Sequence, residues 1–436
     1  MSRQLLIDSL SPEIRDKVSK DLQIRQEPSK YAYGARPTFI YPLEVVSNNA
    51  YVPFAYNHTF PRPPRETFPS TRYRFDGKLR PPQKKARIEA ISHLNKYGST
   101  IIACHPGWGK TCTAINIASK IKLKTLIIVH RVILVNQWKS SIEKFCPDSI
   151  PQILHPGDEM DPQADFYIMN AINIPKNSRR FYKSIGFLIV DEAHLIMAEQ
   201  LSKSMLYFVP RYVLGLSATP YRMDGLNILF DLYFGTKKIE HKLWHRHSVY
   251  TIESGFVPEV ELAKNGKVNW NTVLTSQCMD PERNEMIIRL IKFFPKRVFL
   301  VLCKRVAQAR HLVRRLQEEK EDVTSLIGSQ QHYGHDSRIL VASSSKAGVG
   351  FDHPRLNALI LASDIEQYFV QFLGRIFRTE KGEPLIFDIV DVNPILRKHY
   401  STRRAVYIEH GGTVKSFNKT YPDFPLCNVK KKNNKR

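Results

Sequence analysis

What most limits the fold of this 436-residue chain is a series of short, continuously apolar runs separated by helical segments. Ser99-Thr-Ile-Ile-Ala-Cys104, Thr125-Leu-Ile-Ile-Val129 and Phe187-Leu-Ile-Val190 are the clearest of them. A strand that is apolar on both faces must be covered on both, which is the situation of a parallel sheet between helices. Asp165–Met169 and Tyr212–Leu216 read as further strands, and Gln83–Tyr97, Lys110–Lys120 and Val132–Phe145 as the helices between them. A second series opens with a helix over Arg283–Phe293 and a strand over Arg297–Leu302. It continues with the helix Arg305–Glu319, the strands Arg338–Ala342 and Ala358–Leu361, the helix Ile365–Phe372 and the strand Leu385–Ile389. The expected fold class is α/β, two consecutive doubly wound parallel-sheet domains.

The expected domains are 77–235 and 283–425, joined by a connection over 236–282. Before them lies a small accessory region, 1–76, with one possible helix from Ser11 to Asp21. Its end is rich in proline (Pro53, Pro61, Pro63, Pro64, Pro69, then Pro81 and Pro82), which favours an extended lead-in. A basic tail, 426–436, closes the chain. Lys and Arg number 65 against 41 Asp and Glu, a formal charge of +24, which calls for a polyanionic partner, nucleic acid before membrane. Arg3, Asp8, Glu13 and Arg15 interrupt the stretch where a signal peptide needs an apolar run, and no run of about 18 apolar residues spans a membrane. The six cysteines are scattered without a C-x-x-C pair, as in reduced thiols of an intracellular protein.

Two motifs carry chemistry. Cys104-His-Pro-Gly107-Trp-Gly109-Lys110-Thr111 lies between a strand and a helix, where a phosphate-cradling loop must lie. Gly107 and Gly109 let backbone N–H groups turn inward, Lys110 reaches the β- and γ-phosphates of ATP, and the Thr111 hydroxyl suits Mg²⁺. Phe187-Leu-Ile-Val-Asp191-Glu192-Ala193-His194 delivers two acids to the carboxyl end of a buried strand, where open α/β sheets bind ligands. Asp191 is the expected Mg²⁺ partner, and Glu192 the base that orients and deprotonates the attacking water. Either motif alone also reads as ordinary: a Gly-rich turn, or a pair of solvated acids opening a helix.

Taken in order, Gly107-Trp-Gly-Lys-Thr111, Val190-Asp-Glu-Ala-His194, Leu216-Ser-Ala-Thr-Pro220 and Gln371-Phe-Leu-Gly-Arg-Ile-Phe-Arg378 resemble the superfamily 2 DEAH-type helicases and translocases. The resemblance covers about 77–425. Within that superfamily the chain is similar to the XPB-like branch and the helicases of large cytoplasmic DNA viruses, including the poxvirus transcript-release helicase. Leu79-Arg-Pro-Pro-Gln83, Leu214-Gly-Leu-Ser-Ala-Thr-Pro-Tyr-Arg-Met-Asp-Gly225 and Asp388-Ile-Val-Asp391 carry that finer likeness.

The resemblance implies two tandem RecA-like domains forming a monomeric motor, with ATP and Mg²⁺ bound between them. Lys110, Thr111, Asp191 and Glu192 would stand on one side, and the arginine-finger candidates Arg375 and Arg378 on the other. Gln83 would read the adenine edge, for which its amide has both donor and acceptor, with Arg80 stacking nearby. Gly350, Asp352 and Gln371 would join the nucleotide contacts. His194, Ser217 and Thr219 would couple that site to the nucleic-acid groove, and His130, Arg131 and Ser343 would meet the strand. Trp138 sits on an apolar helix face and reads as core. The substrate is expected to be DNA, single-stranded or duplex, rather than RNA. RNA-directed DEAH proteins usually carry a second Gly before the last Arg, where this chain has Phe377. Transcription or repair proteins are the implied partners, in the cytoplasm, a viral factory, a virion or the nucleus.

Overall fold

The computed structural model describes residues 1–26, 38–57, 59–196, 204–218, 226–263, 266, 268–330, 332–347, 353–365, 369–377 and 382–426. They form two compact units, 1–241 and 242–436.

The first unit is built on a seven-stranded parallel sheet. Ser99–Cys104 lies between Lys238–His241 on its outer side and Tyr212–Ser217 on the inner, followed by Phe187–Val190, Thr125–Val129, Phe166–Asn170 and Pro151–Leu154. The central strands are wholly buried, as their continuous apolar runs require. Helices Lys110–Ile121 and Val132–Phe145 supply crossovers, and Pro81–Tyr97 leads into the first strand of the sheet. Because every strand is parallel, the residues after Cys104, Val129, Phe166–Asn170, Val190 and Ser217 all collect on one edge. That edge is the platform for the site.

Residues 1–76, set apart by the sequence, belong to this unit. Ser2–Leu6, Asn49–Pro53 and Glu44–Val46 form an antiparallel sheet backed by the helix Pro12–Asp21, which Ser11 caps. Leu5, Val18, Leu22, Ala50 and Val52 form its small core, while Met1, Tyr51 and Phe54 join the main core of the unit. The proline-rich stretch runs extended across the surface. Thr71 N–H donates to the Lys122 carbonyl (3.2 Å) and Asp76 N–H to that of Phe145 (2.6 Å), with Phe75 stacked on Phe145.

The second unit repeats the parallel architecture, in the order Val323–Leu326, Ile339–Ser343, Phe299–Cys303, Ala358–Leu361, Leu385–Val390, His247–Glu253, Gly412–Ser416. The stretch 236–282, expected as a connection, therefore contributes a strand to each sheet, Lys238–His241 to the first and His247–Glu253 to the second. These strands escape notice because they lie at or next to a sheet edge and are polar or only half covered. Among the described residues, no helix is long and apolar enough to cross a membrane.

Candidate functional site

The loop after Ser99–Cys104 turns on Gly107 (φ +80°) and Gly109 (φ +94°), both in the left-handed region that side chains resist. A Cβ on Gly109 would also stand 2.3 Å from Gln83 Nε2 and displace that amide from the loop. The loop is compact. Lys110 Nζ donates to the Cys104 carbonyl at 2.8 Å. Trp108 is buried and stacks on His241 (centroids 5.1 Å, 23°), which ties the loop to the outer strand. Burial pushes the His105 imidazole down to about 4, with Lys110 and Arg80 acting in the same direction. It also pushes the Cys104 thiol up to about 12, so that residue is an inert filler where the usual pattern has glycine.

Gln83 and Arg80, expected to meet adenine, are engaged with this loop. Gln83 Nε2 donates to the Trp108 carbonyl (3.0 Å) and its Oε1 accepts from Arg80 N–H (2.8 Å), while Arg80 Nη2 also donates to the Trp108 carbonyl. The reason is local. Arg80 is the N-cap of Pro81–Tyr97 and Gln83 its third residue, so the amide closes a capping box.

The two acids follow Phe187–Val190. Asp191 is buried. Its Oδ2 accepts from Trp138 Nε1 at 2.8 Å and its Oδ1 from the Glu192 N–H at 2.9 Å. Burial, and then the neighbouring Glu192 carboxylate, hold Asp191 above the usual carboxylate range, while the Trp138 bond and Lys110 pull the other way. A carboxylate so placed fits a divalent cation, whose charge would relieve both causes. Thr111, one residue into the helix, brings a second oxygen to the same edge.

Glu192 sits at φ +47°, a conformation costing about 1–3 kcal/mol in a non-glycine residue and characteristic of functional sites. Its Oε2 is buried without a hydrogen-bond donor among the described residues, 3.5 Å from His194 Nδ1, and the same Nδ1 lies 3.0 Å from Ser217 Oγ. Acid, imidazole and hydroxyl thus form a chain from Glu192 to the end of the next strand, Tyr212–Ser217. His130, which follows Thr125–Val129, is pushed down to about 4 by burial and by the Arg131 charge, so its ring is neutral at neutral pH. Arg131 stands beside it, half-buried.

In the second unit Gln371 and Arg375 lie buried on the helix Phe369–Ile376, and neither amide atom of Gln371 has a hydrogen-bond partner among the described residues. Ser343 closes its strand, with Oγ 3.3 Å from Ser345 Oγ. Thr219, Gly350, Asp352 and Arg378 lie outside the described residues. Sequence reasoning passed over the Trp138 indole as a partner of Asp191, and over a buried charge network. Arg403 pairs with Asp388 (2.8 Å) and Asp364 (2.8 Å), and Arg283 with Asp391 (3.1 Å). Both aspartates of Asp388-Ile-Val-Asp391 anchor that network at or near the carboxyl end of their strand.

The family model for the res subunit of type III restriction enzymes matches residues 76–222. The chain is 40% identical over 445 residues to 161L of Invertebrate iridescent virus 6, a protein named as a helicase, covering 96% of this chain and 100% of that one. It is 30% identical over 178 residues to the DNA 3'-5' translocase XPB2 of Sulfurisphaera tokodaii, covering 41% of this chain and 38% of the relative. Among solved structures, S. cerevisiae Dbp5 bound to RNA and ADP BeF3 superposes with a TM-score of 0.56 at 13% identity, over 79% of this chain and 96% of that one. A likeness at that identity speaks for the tandem RecA-like fold.

Proposed function

This chain belongs to the superfamily 2 helicases, in the group carried by large DNA viruses, and from that premise we propose that it hydrolyses ATP to move along a nucleic-acid strand, DNA in preference to RNA. The observation that carries the reading is Glu192. A strained backbone holds its carboxylate beside Asp191 on the edge that also bears the Gly107–Lys110 loop, with Oε2 free to accept a proton. Lys110 exchanges its carbonyl partners for the β- and γ-phosphates. When bound, Mg²⁺ supplies charge neutralisation on those phosphates, and Thr111 and Asp191 would hold it. Arg375 and Arg378 add positive charge as the γ-phosphate departs. The Glu192–His194–Ser217 chain carries the change at the γ-phosphate to the next strand end, toward Thr219. Gly350, Asp352 and Gln371 complete the nucleotide contacts.

The charge of +24 supports a polyanion track, on which Arg131, His130 and Ser343 contact backbone oxygens. Preference for DNA is drawn from Phe377 and from the name of the XPB2 relative. The test compares ATPase stimulation and strand displacement with single-stranded DNA, duplex DNA and RNA. Greater stimulation by RNA than by either DNA would overturn the substrate, and stimulation by none would overturn the motor. Stimulation without displacement would identify a translocase that strips its track rather than parting strands.

A further inference from the structure

Phe377 stands just before Arg378, and the structure gives its ring a specific setting. It follows directly on the helix Phe369–Ile376, its N–H donating to the Leu373 carbonyl at 3.2 Å. The His245 ring stacks against it (centroids 5.1 Å, 24°) and the His247 ring lies against it as well (4.7 Å, 44°). Both histidines belong to the first residues of the second unit, only a few positions after the first unit ends at His241.

The segment that carries the two imidazoles is fastened to rigid parts of the unit. His245 N–H donates to the His410 carbonyl (3.0 Å), and the His410 ring lies 2.6 Å from the Leu243 carbonyl through Nδ1. His247 Nδ1 is 2.7 Å from the His245 carbonyl, so that nitrogen carries the proton and locks the ring's orientation. Gly411 (φ +91°) is required beneath it, since a Cβ there would stand 2.8 Å from the His245 carbonyl oxygen. His247 is fully buried and opens the strand His247–Glu253.

We infer that Phe377, clamped by His245 and His247, is a positioning residue for ATP hydrolysis. The clamp fixes the exit of the helix that bears Gln371 and Arg375, and so the setting of the Arg375 side chain. It also joins that helix to the first residues of the second unit, so strain on that segment reaches Arg375 through the rings. Offset aromatic contacts are directional, and an aliphatic side chain of similar volume fills the space without holding the angle. The inference rests on the proposed ATPase, and its test separates the two.

The experiment compares Phe377→Tyr, Phe377→Leu and His245→Ala with wild type. Wild-type turnover with nucleic acid present first establishes the ATPase, and its absence counts against the proposed function alone. Given turnover, Phe377→Leu and His245→Ala lower kcat about tenfold, with KM for ATP and nucleic-acid affinity within about twofold, and Phe377→Tyr restores wild-type kcat. A readout independent of activity is the imidazole carbon-bound proton resonances. Ring current shifts those of His245 and His247 upfield in wild type and Phe377→Tyr, and the shift is lost in Phe377→Leu. Full kcat in Phe377→Leu, a KM that rises as kcat falls, or unshifted imidazole protons in wild type would overturn the clamp.

Discussion

Replacing Trp138 by Phe isolates the contact that most distinguishes the acid pair from two solvated carboxylates. The indole is 1% exposed and its Nε1 donates to Asp191 Oδ2 at 2.8 Å. A hydrogen bond to a charged group contributes about 1.5–3 kcal/mol, and the smaller phenyl ring leaves unfilled space worth about 1 kcal/mol more. The expected loss is about 3 kcal/mol in the first unit. With a urea m-value of about 3 kcal/mol/M for a unit this size, its unfolding midpoint falls by about 1 M. The same substitution in an Asp191→Asn background separates bond from packing. Without the carboxylate charge the bond weakens to about 1 kcal/mol, so the Trp138→Phe shift shrinks to about 0.7 M. A shift below about 0.3 M in the wild-type background, or the same shift in both backgrounds, would refute the reasoning, because the indole would then act by bulk alone.

Glu192→Gln keeps the shape and removes the base; nucleotide binding persists while kcat falls by at least about a hundredfold, and near-normal turnover measured by phosphate release would reject the assignment. Arg378→Ala lowers kcat by about 10³ or more if it serves as the finger, and a loss below about tenfold would argue against that role. His130 is held at about 4 in the folded chain, against about 6.5 unfolded, so the unfolded state takes up a proton first as pH falls. Stability is therefore full above pH 6.5 and declines between 6.5 and 4, by on the order of 3 kcal/mol at most. The raised Asp191 acts in the opposite sense, so the measurement compares wild type with His130→Gln. The variant loses less stability between pH 7 and 4.5 in urea titrations, and equal losses would remove the burial argument.

The inner strands and the glycine turn before Lys110 were legible because burial on both faces leaves an unbroken apolar run, and because Gly107 and Gly109 occur where a strand becomes a helix. The strands at the sheet edges were not. Lys238–His241 alternates charge with Ile239 and the ring of His241, and Gly412–Ser416 is half covered, so neither has the composition that announces a strand. The N-terminal sheet escaped because its strands of three to five residues obtain their partners from 40 or more positions away or from a tight hairpin. In the site, the position of Asp191 and Glu192 at the end of a buried strand could be read from the apolar run before them. The Trp138 contact bridges 53 positions and depends on which way one helix face turns. Gln83 shows a third kind of limit. An amide suited to adenine is equally suited to capping its own helix, and residue type cannot choose between these uses.

The central claim is that ATP is hydrolysed at the loop bearing Lys110 in response to nucleic acid. Steady-state phosphate release by wild type and Lys110→Ala, each with and without a single-stranded DNA, tests it most directly. Turnover in wild type rises severalfold with DNA, and turnover in Lys110→Ala falls to background while DNA binding persists. Unchanged turnover in Lys110→Ala would contradict it, as would wild-type hydrolysis that ignores nucleic acid altogether.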